Sequence, residues 1–95
     1  MSVQQERSVQ VVNPMGFHAR PASEFVRLAA TFAADILLEK DGLEVNGKSI
    51  MGVLMLAAEQ GSTLRIRANG SDALLAAEAL EALVASGFEE SNEDV

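Results

Sequence analysis

The sequence predicts an α+β fold in two layers, in which a four-stranded antiparallel sheet is covered on one face by three helices. Its 95 residues allow one domain with one core. Short segments alternate polar and apolar residues, as strands with one buried face do, and longer segments have the three-and-four spacing of amphipathic helices. Their order along the chain is β-α-β-β-α-β-α, which favours two packed layers.

The first strand is predicted at residues 8–11, where valines alternate with polar side chains. Residues 13–16 have the composition of a loop. From Ala22 onward the apolar residues recur at helical spacing, which predicts the first helix. Because proline fits only in the first turn of a helix, Pro21 requires this helix to begin near His18.

A β-hairpin is predicted from two apolar segments, residues 36–40 and 43–46. Between them lies the dipeptide Asp41-Gly42, which suits the positive φ values of a tight turn. Ser49 is a suitable N-cap, so a second helix is expected over residues 50–58. This helix is apolar all round, and a short helix cannot bury every side against one sheet. Part of its surface is therefore expected to be exposed.

The last strand is predicted at residues 63–68, where apolar side chains alternate with threonine and arginines. Ser71 is expected to cap the final helix. The apolar stripe of that helix runs from Ala73 to Val84, and Gly87 is expected to end it.

Composition and charge exclude several classes of protein. The net charge of −7 opposes binding to nucleic acid or anionic lipid. No apolar stretch is long enough to span a bilayer and no signal peptide is evident, so a cytoplasmic location is expected. The absence of cysteine excludes disulfides and thiolate metal sites. Residues 1–88 are expected to form the single domain, followed by an acidic, flexible tail at residues 89–95.

His18 is the only histidine. An imidazole offers a nucleophilic nitrogen near physiological pH, although a lone histidine more often has a structural role. At the start of a helix it would lie beside amide N–H groups without intrahelical acceptors and the positive end of the helix dipole, which suit an anion. Arg20 adds a guanidinium that matches phosphate oxygens, although a cation alone is unfavourable there. These features favour transient attachment of a phosphoryl group to His18.

Two further features are candidates for regulation and partner binding. A role as the N-cap of a helix is enough to explain a serine at position 49. The alternative is that Ser49 is a regulatory phosphorylation site at the start of that helix. Phe17, Met51 and Leu54 are predicted to form an apolar surface beside His18, where methionine adapts to varied partners. Plain core packing is the alternative for each of these three side chains.

Residues 42–49 match the P-loop pattern G-x-x-x-x-G-K-[ST] of nucleotide-binding proteins. A true P-loop follows a buried strand and belongs to a parallel α/β sheet large enough to supply a magnesium-binding acid. Here residues 43–45 alternate as a strand does, so the match is expected to be accidental. A nucleotide-binding enzyme and a module that only binds partners are the alternatives to a phosphoryl carrier.

Residues 13–22, NPMGFHARPA, resemble the active-site segment of the HPr family of histidine-containing phosphocarrier proteins. Residues 47–56, GKSIMGVLML, are similar to the regulatory-serine segment of that family, and the likeness extends from about Val9 to Gly87. The resemblance implies an open-faced β-sandwich and a role in the phosphoenolpyruvate-dependent phosphotransferase system.

The resemblance also implies roles for individual residues. His18 matches the histidine that enzyme I phosphorylates on Nδ1, and an EIIA-type protein then takes the group. Arg20 matches the family's phosphate-site arginine, and Ser49 matches the serine modified by HPr kinase/phosphorylase where that enzyme exists. Phe17 stands where many members have leucine.

Residues 86–90 are similar to the ending of the nitrogen-branch paralogue NPr, so sugar uptake and nitrogen regulation both stay open. A carrier of this kind is a shuttle rather than a turnover enzyme. It needs no cofactor or metal, makes small transient contacts, and is expected to be a monomer.

Overall fold

Four strands form one antiparallel sheet in the computed structural model, which describes residues 3–89. They are β1 (Gln4–Gln10), β2 (Asp35–Lys40), β3 (Leu43–Asn46) and β4 (Thr63–Asn69). Their order across the sheet is β1-β4-β2-β3, and each neighbouring pair is antiparallel. The predicted sheet is confirmed, although β1 begins earlier than expected because each of its residues pairs with a residue of β4.

Three helices cover one face of this sheet. They are α1 (Ala19–Ala29), α2 (Ile50–Met55) and α3 (Ala73–Ala85), and α3 is followed by a 3-10 turn at Gly87–Glu89, named the terminal turn below. The order along the chain is the predicted one. α2 is shorter than predicted because Ala57 has a φ of 50°, which no right-handed helix continues.

The core lies between the helices and the face of the sheet that they cover. Leu64, Ile66 and Ala68 of β4 are fully buried there, whereas the two arginines between them lie on the opposite face. α3 is buried along the predicted stripe, at Ala73, Ala76, Ala77, Leu80 and Val84. Because most of these side chains are small, α3 can pack closely against β1 and β4. The spacing of apolar residues in each strand and helix therefore decides which face of the sheet the helices cover.

The other face of the sheet carries paired charges. Arg67 of β4 contacts Glu6 of β1 at 3.2 Å and Glu44 of β3 at 2.9 Å. Arg65 contacts Glu39 of β2 at 3.2 Å. The pairs are partly exposed, so each contributes little stability, but together they connect all four strands.

Asp72, rather than Ser71, is the N-cap of α3. The carboxylate of Asp72 makes no capping hydrogen bond and instead accepts hydrogen bonds from the backbone N–H groups of Ala33 and Ala34, both at 2.8 Å. The bond from Ala33 is the main cause that holds the pKa of Asp72 below its ordinary value. The prediction that Ser71 caps the helix is wrong, because an acid one residue later anchors the connection between α1 and β2.

Within residues 3–89 no helix is long and apolar enough to cross a membrane, and the longest, α3, has 13 residues. The predicted acidic tail at residues 89–95 lies outside the described residues beyond Glu89.

Candidate functional site

The turn that precedes α1 is closed by its own hydrogen bonds. The N–H of Gly16 donates to the carbonyl oxygen of Asn13 at 3.1 Å, and the buried side-chain amide of Asn13 donates back to the carbonyl oxygen of Gly16 at 2.8 Å. The N–H of His18 donates to the same Gly16 oxygen at 3.0 Å. The backbone position of His18 is therefore set by the turn, and Asn13 is a residue that the sequence analysis missed.

The same turn rests against the segment that follows α2. The N–H of Phe17 donates to the carbonyl oxygen of Ala58 at 2.9 Å. Gly16 has a φ of +64°, and a Cβ atom at this position would lie 2.3 Å from that same oxygen. Only glycine fits this conformation and this approach without displacing the backbone. The turn before His18 is thus fixed both by its own hydrogen bonds and by its contact with the segment after α2.

His18 is the N-cap residue of α1, as predicted from Pro21. Its backbone is extended, and its carbonyl oxygen accepts the first helical hydrogen bond, from Ala22 at 3.0 Å. Its side chain makes no capping hydrogen bond and is partly exposed. The imidazole therefore lies at the positive end of the helix, within reach of a partner.

Arg20 lies in the first turn of α1, two residues beyond His18, and its side chain is 47% exposed. Its Nη1 atom lies 2.6 Å from Oε1 of Glu24, one helical turn further on. Nη1 and Nη2 also donate to the carbonyl oxygen of Phe88, each at 3.4 Å. Glu24 and Phe88 are two contacts that the sequence analysis missed. The i,i+4 spacing was a signal for the first, while nothing local indicated the second.

Phe17 is not part of an exposed apolar surface. Its side chain is only 4% exposed, and its ring packs against Phe25 at 5.9 Å and, edge to face, against Phe88 at 5.2 Å. The prediction that Phe17 lies on the partner surface is wrong, because two aromatic residues far apart in the sequence enclose it. Its place is in the core, one residue before His18 in the chain.

The apolar surface predicted on α2 is present without Phe17. Met51 is 76% exposed, and Leu54 and Met55 are exposed as well. Val53, on the opposite side of the helix, is fully buried, and α2 packs against α1. Because α2 has only six residues, one side suffices to anchor it, and the methionines face outward.

Ser49 is the N-cap of α2, as predicted. Its Oγ atom accepts a hydrogen bond from the N–H of Gly52 at 3.1 Å, and its carbonyl oxygen accepts one from Val53 at 2.9 Å. The side chain is partly exposed. The capping role alone explains a serine here.

Comparison with known proteins decides the family. The profile described as "PTS HPr component phosphorylation site" matches residues 5–86. The phosphocarrier protein HPr of Cupriavidus necator is 40% identical over 85 residues, which cover 90% of this chain and 96% of that relative. The chain belongs to the HPr family. It is accordingly a phosphocarrier of the phosphotransferase system.

Solved HPr structures share the fold. The crystal structure of HPr from Bacillus anthracis is 51% identical with a TM-score of 0.82, and the match covers 85% of this chain and 96% of that one. An HPr dimer from Thermoanaerobacter tengcongensis is 42% identical with a TM-score of 0.74, and the match covers 90% and 99% of the two chains. The open-faced β-sandwich implied by the resemblance is thereby confirmed.

The P-loop pattern has no phosphate cradle in this HPr-family fold. Residues Leu43–Asn46, which would form the body of the loop, are strand β3. The Nζ atom of Lys48 donates to the carbonyl oxygen of Phe32 at 2.8 Å, beyond the end of α1. The pattern is therefore accidental, as expected.

Proposed function

We propose that this HPr-family chain accepts a phosphoryl group from enzyme I on His18 and passes it to an EIIA-type protein. The observation that carries the proposal is a partly exposed imidazole at the N-cap of α1, with Arg20 in the first turn of the same helix. In the transfer, Nδ1 of the neutral imidazole attacks phosphorus, and the bond from phosphorus to the donor breaks as the new P–N bond forms. No cofactor takes part.

Arg20 is proposed to hold the phosphoryl oxygens together with the helix end. A guanidinium matches such oxygens with paired, charge-assisted hydrogen bonds. Its 2.6 Å contact with Glu24 means that a phosphoryl group must compete with a carboxylate. This competition limits how tightly the product is held, which suits a carrier that must release the group to its acceptor. The chain is thus a shuttle rather than a turnover enzyme.

Docking of enzyme I and of the acceptor is proposed to use the exposed side of α2, with Met51 and Leu54 as contacts. Flexible methionine side chains adapt to more than one partner surface. Small contact areas permit the fast association and release that successive transfers need. Phe17, being buried, contributes by supporting His18 from behind.

Ser49 is proposed as a regulatory site for HPr kinase/phosphorylase in an organism that has this enzyme. The hydroxyl is partly exposed at the start of α2, where the helix end tolerates added negative charge. A phosphate on Ser49 would add negative charge at the start of α2, the helix proposed to contact the partners. Regulation would then act on partner binding.

The remaining assignments concern the whole chain. We assign the phosphocarrier domain to residues 1–88 and an acidic tail to residues 89–95, and we expect a monomer in the cytoplasm. Because an HPr relative from Thermoanaerobacter tengcongensis is described as a dimer, sedimentation of the full chain tests the monomer directly. Transfer rates to a sugar-specific and to a nitrogen-type EIIA, compared side by side, assign the branch.

Labelling tests the central assignment. Incubation with enzyme I and ³²P-labelled phosphoenolpyruvate should give an acid-labile label, and His18→Ala should remove it while the thermal unfolding curve stays that of a folded protein. Label that persists in His18→Ala would refute the assignment. Partner binding without any label in the natural sequence would instead identify a module that only binds.

A further inference from the structure

We propose that Phe88 in the terminal turn is a positioning residue for the carrier site. It holds Phe17 with its ring and Arg20 with its carbonyl oxygen, and these two residues flank His18. The inference rests on the proposed function, because it assigns a role toward the phosphoryl group that His18 would carry.

The backbone of the terminal turn shows that Phe88 is held in place by its surroundings. After α3 ends, Gly87 has a φ of +73° and Phe88 a φ of +58°. Glycine adopts this left-handed region easily, whereas a bulky residue does so only where packing requires it. The side chain of Phe88 is 1% exposed. Unfavourable backbone geometry at a buried residue is often found beside functional sites.

The ring of Phe88 supports one side of His18. It packs edge to face against Phe17, with ring centroids 5.2 Å apart and planes at 83°. The N–H of Phe17 is bound to Ala58, and the residue directly precedes His18. A ring lost from position 88 would therefore loosen the backbone on which the imidazole is mounted.

The carbonyl oxygen of Phe88 supports the other side. It accepts from both terminal nitrogens of Arg20, each at 3.4 Å, across 68 residues of sequence. An arginine side chain that is half exposed ordinarily samples many rotamers, and fixing it later costs entropy. The carbonyl oxygen of Phe88, which belongs to a fixed turn, restricts the guanidinium before a phosphoryl group arrives. Such preorganisation strengthens binding without any new contact.

The test compares Phe88→Leu with Phe25→Leu. Both variants remove a ring that packs against Phe17, but only Phe88 belongs to the turn whose carbonyl oxygen contacts Arg20. Leucine keeps that carbonyl oxygen and removes the ring that anchors the turn, so the oxygen should shift away from Arg20. Each full-length protein is phosphorylated with phosphoramidate, a chemical donor, so that the result does not depend on enzyme I. The half-life of the phosphohistidine is then measured at a temperature where each variant is folded.

We expect Phe88→Leu and Arg20→Ala each to shorten this half-life at least threefold, and the double variant to shorten it no further. Phe25→Leu should stay within a factor of 1.5 of the natural sequence. In the unphosphorylated protein, the NMR signals of the Arg20 Nη–H groups should change in Phe88→Leu and stay unchanged in Phe25→Leu. Phe88→Met serves the same comparison if Phe88→Leu does not fold.

Equal half-lives for the Phe88 and Phe25 variants, with an unchanged Arg20 signal, would overturn the proposal. Additive effects of Phe88→Leu and Arg20→Ala would also overturn it, because they would show that Phe88 acts independently of Arg20. If the natural sequence accepts phosphate from phosphoramidate but not from enzyme I, the proposed function is refuted. The half-life comparison still tests the role of Phe88 in that case, because it does not use enzyme I.

Discussion

Replacing Gly16 with alanine perturbs the turn on which His18 is mounted. The new Cβ atom would lie 2.3 Å from the carbonyl oxygen of Ala58, which is also the acceptor for the N–H of Phe17 at 2.9 Å. An ordinary van der Waals contact between these two atoms is about 1 Å longer. Because the oxygen belongs to the backbone, it cannot rotate away as a side chain would, so the turn and the segment after α2 must move apart. The φ of +64° adds strain for any residue with a Cβ atom.

The expected loss of stability follows from these two contributions. A left-handed conformation costs an alanine about 1–2 kcal/mol, and the strained or broken hydrogen bond to Ala58 costs about 1 kcal/mol more. A domain of this size loses about 4–8 °C in Tm for each kcal/mol, so Gly16→Ala should melt roughly 10–20 °C lower. A displacement of about 1 Å at His18 should also slow its phosphorylation on the order of 100-fold.

Circular dichroism melting and single-turnover phosphorylation by enzyme I measure the two effects. Gly42→Ala is the matched control, because Gly42 also has a positive φ, +86°, but an added Cβ there has no atom within 4 Å. Without the loss of the hydrogen bond to Ala58, it should lower the Tm by about 4–8 °C less than Gly16→Ala does and leave the phosphorylation rate unchanged. If Gly16→Ala matched this control in both measurements, the argument that the close approach positions His18 would be refuted.

Three further substitutions test separate parts of the structure. The pKa of Asp72 is lowered in the folded protein, so its carboxylate stabilises the fold at neutral pH, and this contribution is lost as the pH falls through the folded-state pKa. Asp72→Asn should therefore lower the Tm at pH 7, and the Tm difference from the natural sequence should vanish as the pH is lowered to 2. A Tm difference that stays constant over this range would contradict this expectation. Ser49→Ala should cost about 1 kcal/mol in urea unfolding through the lost cap, with Ser49→Thr retaining most of it; equal stability for both variants would contradict the capping role. Glu24→Gln should lengthen the phosphohistidine lifetime roughly twofold, because one carboxylate no longer competes for Arg20 in an exposed i,i+4 pair; an unchanged or shorter lifetime would show that the pair does not limit binding.

Local chemistry was enough to predict the elements and the start of α1. Pro21 can occupy only the first turn of a helix, and that single constraint placed His18 at the N-cap. Alternation in residues 63–68 likewise predicted which face of β4 is buried. The order of the strands across the sheet was not predicted, because several orders satisfy the same pattern of buried faces.

Contacts between distant residues explain what the sequence did not reveal. Phe17 was placed on the surface because it adjoins His18, but Phe88, near the other end of the chain, buries it. Ser71 has the better capping side chain by type, yet Asp72 begins α3 because its carboxylate binds the N–H groups of a distant loop. In each case the deciding partner lies more than 35 residues away, beyond the reach of local propensity.

The most direct measurement uses the fact that the chain contains one histidine. The ¹⁵N-labelled protein is incubated with enzyme I and phosphoenolpyruvate, and the imidazole nitrogens and the ³¹P signal are followed by NMR. We expect a phosphoramidate signal coupled to Nδ1 of His18, which disappears when an EIIA-type acceptor is added. An imidazole spectrum unchanged by active enzyme I, or phosphate found on another residue, would contradict it.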